Sequence, residues 1–181
     1  MDRNDLVNKA RKILSEGPDE IANRASELGL KYETTYWGCS QSIVLAALDS
    51  LNIRDDTVFR TASGFGAGTG LTNKSTCGAL IGGVMLIGLF FGRDIESLEK
   101  LDRGIKCYKI SKEFIESFED RFGDIQCSNI QESLMGRTFN LWDEKDFSLF
   151  EKSGGHRDKC PMVVAWTAKE VIKTIQKHIG G

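Results

Sequence analysis

The sequence predicts an all-α fold: a compact bundle of about six or seven helices around a buried, glycine-rich central helix. Three observations predict it. Apolar residues recur at helical spacing along most of the chain, and no stretch alternates apolar and polar residues long enough to claim a sheet. The third is an uncharged run over residues 75–92 that is apolar on every side, the pattern of a helix buried all round. With 181 residues the chain reads as one helical domain over 1–181. A domain of that size buries roughly 70% of its unfolded surface and folds without disulfides. Residues 1–30 supply N-terminal helices, 35–165 a cysteine-bearing core and 160–181 a C-terminal helix.

The elements follow in order. Leu6, Ala10, Ile13 and Leu14, then Ile21, Ala22, Ala25 and Leu28, predict two short helices divided at Gly17-Pro18. Asp19 and Glu20 suit the first turn of the second, where carboxylates complement the helix dipole. Neither helix shows any chemistry. Tyr32 to Gln41 reads as an aromatic-rich approach to a helix through Ile43, Val44, Ala46, Ala47, Leu48 and Leu51, which puts Cys39 at a helix start. Thr61 to Leu71 then carries glycine at every second position from 64 to 70. Glycine exposes backbone N–H groups to an anion, but this spacing matches neither the dinucleotide fingerprint nor the Walker loop. A backbone wrap against a buried helix or cluster is the expectation.

In the central helix, Ser75 or Thr76 is placed to cap the first turn. Glycines 78, 82, 83, 88 and 92 each weaken a helix by about 1 kcal/mol relative to alanine, and close packing is the usual compensation. Gly78 and Gly82 share a face at i, i+4, where a neighbouring helix or a bound group can approach the backbone. A membrane span needs about 20 apolar residues. The strongly apolar part runs only from Ala79 to Phe91 and no second such segment exists, so no membrane span is expected.

After a charged connection from Arg93 to Arg103, Lys106 to Phe122 is amphipathic. Cys107, Ile110, Phe114, Ile115, Phe118 and Phe122 lie on one face, and Gly123 ends the helix. Cys127 opens a short helix stopped by Gly136. Residues 137–159 show no period and read as an insertion or long loop, ending in Gly154-Gly155-His156. The last helix starts at Cys160-Pro161, with proline suited to a first helical position.

Composition narrows the function. A net charge of −2 and a pI of about 5.8 argue against nucleic acid or an anionic membrane as partner. Met1 to Asp5 begin a polar segment without an apolar h-region, which predicts no secretory signal and a cytoplasmic protein. Five cysteines in a reducing compartment are free, metal-bound or redox-active rather than structural bridges.

Four of the five, Cys39, Cys77, Cys127 and Cys160, fall at predicted helix N-termini, while Cys107 lies mid-helix on an apolar face and reads as a core residue. A helix N-terminus carries about half a positive charge and unpaired N–H donors, so a thiol there is expected to lose its proton more readily. The thiolate is the form that attacks, oxidises or ligates metal. No Cys-x-x-Cys occurs, so a thioredoxin-like dithiol, a zinc ribbon, a bacterial ferredoxin run and a c-type haem attachment are all missing.

Cys39, then Cys77-Gly78-Ala79-Leu80-Ile81-Gly82, then Cys127 and Cys160 resemble the C_GCAxxG_C_C family of redox-active proteins. Ala62 to Gly68 is similar to the glycine-rich stretch often found there, and the resemblance spans about residues 35 to 165. It implies a small helical protein that does redox work, with an iron–sulfur cluster as one cofactor and no settled substrate. Cys107 has no place in the motif.

Two chemistries compete for the four thiols. They can ligate an iron–sulfur cluster that carries electrons, with Gly78 beside it and helix-end N–H groups tuning it. Alternatively they form redox disulfides and serve a thiol–disulfide oxidoreductase. A structural zinc site is a third option, and a non-catalytic accessory or interaction module is a fourth. His156 reads as a solvated loop residue rather than a substitute ligand, His178 as a cation at a helix C-terminus, and the acidic residues as solvated helical faces. An unidentified redox partner protein is implied. The apolar, glycine-rich helix also suits a homodimer interface.

Overall fold

A computed structural model describes residues 3–180. Among them the chain is all-α, with nine α-helices and no β-strand. The helices are α1 (Arg3–Glu16), α2 (Pro18–Tyr36), α3 (Cys39–Ser50), α4 (Asp56–Thr61), α5 (Gly78–Phe91), α6 (Leu101–Phe122), α7 (Cys127–Met135), α8 (Glu144–Lys152) and α9 (Cys160–Ile179). No helix among these residues is long and apolar enough to cross a membrane.

The helix count exceeds the expected six or seven because two short helices carry no long apolar period. Asp55 starts α4 by accepting the N–H groups of Thr57 and Val58, and Asp143 starts α8 by accepting that of Asp146. The second corrects the reading of 137–159 as a loop or insertion: α8 buries Phe150. A second correction concerns α2, which runs on to Tyr36 and absorbs the expected aromatic approach. Its buried stripe is Ala22, Ala25, Gly29 and Glu33, spaced at helical intervals.

Helix α9 packs against α1, α2, α3, α5 and α6, and α5 against α1, α3, α6 and α9. Close approach explains two of the α5 glycines. A Cβ on Gly82 would stand 2.7 Å from the Ser40 carbonyl oxygen, and one on Gly83 would stand 2.4 Å from the Phe114 ring. The expectation of burial all round needs correcting, since Ile81, Val84, Met85 and Leu89 are only partly buried and Gly88 is exposed. Neither Ser75 nor Thr76 caps α5. Cys77 holds the cap position, and Thr76 is instead bridged antiparallel to Gln126.

The glycine-rich stretch, expected over Thr61 to Leu71 as a wrap, packs Phe65 and Gly66 against Gly78 and has an unusual backbone. Ala67, Gly68, Thr69, Gly70 and Leu71 have φ of 43°, 68°, 66°, 59° and 58°, a left-handed turn in which three side-chain-bearing residues take a conformation L-residues rarely adopt. Such strain persists only where the surroundings fix it, and it concentrates at functional sites. Here Gly70, Leu71 and Asn73 donate their N–H groups to the carbonyls of Gly64, Gly66 and Ala67.

Candidate functional site

Three separate devices bring the cysteines of the motif together. Cys77 and Cys127 are set side by side by the bridge preceding α5 and α7: the Cys77 N–H donates to Ile125 O at 2.8 Å and the Cys127 N–H to Ser75 O at 3.0 Å. Cys39 opens α3 after a turn in which Trp37 and Gly38 have φ of 62° and 87°. Its sulfur lies against the start of α5, and the lack of a Cβ at Gly78 makes the room, because that Cβ would be 2.5 Å from both Cys39 Sγ and Phe65 O.

Cys160 arrives differently. A π-helical turn over Gly155–Lys159 runs straight into α9, and the Lys159 N–H reaches back to Gly154 O at 2.9 Å. Cys160 is the first residue of α9, but a helical turn already precedes it, which corrects its expected place at a free N-terminus.

All four cysteines line one cavity of about 200 Å³, with Glu33, Gln131 and His156 as polar companions and Leu134, Leu141, Phe147, Phe150 and Val164 among the apolar wall. Cys77 and Cys127 are each 7% exposed, Cys39 and Cys160 are partly buried, and all are free thiols. Cys107 lies on α6, partly buried against the core, and does not line the cavity. Among the described residues no three His, Cys, Asp or Glu side chains gather closely enough to hold a single metal ion.

Electrostatics reverse the expectation of acidic thiols at helix starts. The amides are present: those of Ala79 and Leu80 favour a Cys77 thiolate, and that of Ala67 favours a Cys39 thiolate. Burial outweighs them, pushing Cys77 up to about 11 and Cys39 well above the ordinary thiol value. Cys160 is raised in the same way, first by burial and then by Glu33, Cys77 and Cys127. Unlike at Cys77 and Cys39, no backbone amide is among the main influences on it. Burial and Cys77 raise Cys127, while Gln131 opposes them with its Nε2 at 3.8 Å from the sulfur.

Glu33, Asn73 and Gln131 complete the site, and none of them belongs to the cysteine motif. Glu33 is 2% exposed, not on a solvated face, and burial pushes its carboxyl up to about 7. Its signal was the stripe Ala22, Ala25, Gly29, visible only if α2 is carried past Leu30. Asn73, buried with φ of 58°, faces Cys127 Sγ through Oδ1 at 3.5 Å and accepts from Gln131 Nε2 at 3.1 Å.

His156 also departs from expectation. Its side chain is 14% exposed, its Nδ1 meets Glu151 at 2.5 Å, and its ring stacks on Trp37 with centroids 4.7 Å apart. Burial lowers its pKa and Glu151 opposes that fall. His178, near the end of α9, pairs with Glu113 at 3.0 Å and lies outside the cavity.

Fold and site together define an all-helical protein with a buried cavity walled by four cysteines. A family model described as "Putative redox-active protein (C_GCAxxG_C_C)" matches residues 37–174, and the chain belongs to that family. No curated protein and no solved structure matches the chain.

Proposed function

We propose that this chain is an electron-transfer protein that holds an iron–sulfur cluster on Cys39, Cys77, Cys127 and Cys160. The observation that carries the reading is the presence of four thiols, delivered by four separate segments, in the wall of one apolar cavity. Four cysteines satisfy a cluster, which supplies one-electron chemistry when bound. The chain's own groups suit the role. Ala67, Ala79 and Leu80 direct amides at two of the sulfurs, Gln131 approaches a third, and the rest of the wall is largely apolar. Burial and mutual repulsion disfavour ionising these cysteines together, a cost that a bound metal would offset.

Thiol exchange fits less well, because it requires an accessible thiolate and burial holds these thiols protonated. A zinc ion requires four donors about 2.3 Å from one point, whereas these thiols surround a space. The test is iron and acid-labile sulfide on protein purified without oxygen, with its visible spectrum. The expected result is stoichiometric iron and sulfide and colour that bleaches on reduction. Replacing any one of the four cysteines with serine should lose iron, and Cys107→Ser should keep it. Colourless protein that also fails reconstitution with iron and sulfide would overturn the proposal.

A further inference from the structure

The cavity holds one polar atom that nothing in the fold satisfies. Glu33 sits in the last turn of α2, is 2% exposed and lines the cavity beside the four cysteines. Its Oε2 is buried and has no hydrogen-bond partner. A buried acceptor left unpaired is costly, more so for a charged group, so a chain retains one where something else satisfies it.

The surroundings indicate what that something is. Glu33 lines the same cavity as all four thiols, and it is the charged neighbour that acts most strongly on Cys39 and Cys160. Among the described residues no lysine or arginine lines the cavity, and the one basic group there, His156, is engaged by Glu151. Five acidic groups therefore face one space with no protein cation among them. Buried anions persist when paired or coordinated to metal. A carboxylate oxygen is an established ligand type for iron alongside softer donors.

We propose, resting on the cluster reading above, that Glu33 is a fifth protein ligand, giving its Oε2 to one iron of the group held by the four cysteines. The ligand set is then four thiolates and one carboxylate rather than four thiolates alone.

The experiment is iron K-edge X-ray absorption and Mössbauer spectroscopy on wild type and Glu33→Gln, both reconstituted with ferrous iron and sulfide without oxygen. In the wild type about one oxygen per cluster is expected at a shorter distance than the sulfur shell, with one iron distinct from the rest. In Glu33→Gln that oxygen and that distinct iron should vanish while iron content and helical circular dichroism are kept. An all-sulfur wild-type shell, or an oxygen shell unchanged in Glu33→Gln, overturns the ligand assignment and leaves the cluster standing. Wild type that takes up no iron overturns both. If folded Glu33→Gln takes up no iron, Glu33→Asp decides: recovery of iron with the oxygen shell supports the assignment, and recovery without it overturns it.

Discussion

Two opposing forces meet at the Cys77 sulfur, and their magnitudes decide its chemistry. The helix start offers the amides of Ala79 and Leu80, but the thiol has left water, and desolvation wins. A shift from 9.0 to about 11 lowers the thiolate fraction at pH 8 about 100-fold. Metal-free protein should therefore alkylate at Cys77 about 100-fold more slowly than the urea-unfolded chain, read by differential labelling and mass spectrometry. Equal rates would show that the cavity does not shield the thiol. Periodicity could place cysteines at helix starts, since that is local. It could not weigh an amide against burial, because burial is supplied by α2, α7 and α9 from far along the chain.

At the scale of elements, the glycines of α5 look alike in sequence and differ in the fold. Gly78 faces the Cys39 sulfur and the Phe65 carbonyl, while Gly88 has nothing within 4 Å. Gly78→Ala should cost about 1–3 kcal/mol by overpacking and disturb iron binding. Gly88→Ala should gain about 0.5–1 kcal/mol, because alanine is the better helix former. Urea unfolding of the two variants checks both signs. A tolerated Gly78→Ala would mean that Cys39 is not held against α5. Other elements were hidden for identifiable reasons. Helix α8 is too short to show a period, and its mark was the Asp143 cap. The π turn before Cys160 has no sequence signature, since it follows from how Gly154 and Gly155 fit against Asp158 and the Phe150 ring.

For the whole molecule, the buried site ties stability to pH. Glu33 titrates near its ordinary value of 4.5 when unfolded and at about 7 when folded, because burial disfavours its charge. Between those values the folded state binds more protons than the unfolded state, so stability falls as pH rises through the window. The full loss is about 3 kcal/mol, since each pKa unit is worth roughly 1.4 kcal/mol. His156 acts with the opposite sign: burial depresses its pKa, and its contribution is lost as pH falls. The readout is therefore the difference between wild type and Glu33→Gln in metal-free urea titrations from pH 4.5 to about 7. Wild type should lose stability relative to the variant, and parallel curves would place the Glu33 carboxyl in water.

The helical class, most helix positions and the placing of Cys39, Cys77 and Cys127 at helix starts were legible in the sequence, whereas the turn that precedes Cys160 was not. Each follows from local periodicity, caps and glycine stops acting within a few residues. It takes the packed fold to make these cysteines wall one cavity, to bring Glu33 and His156 to it and to raise the pKa of its thiols. Those outcomes depend on desolvation and on approaches such as Gly78 to Cys39, which exist only once distant segments have packed together.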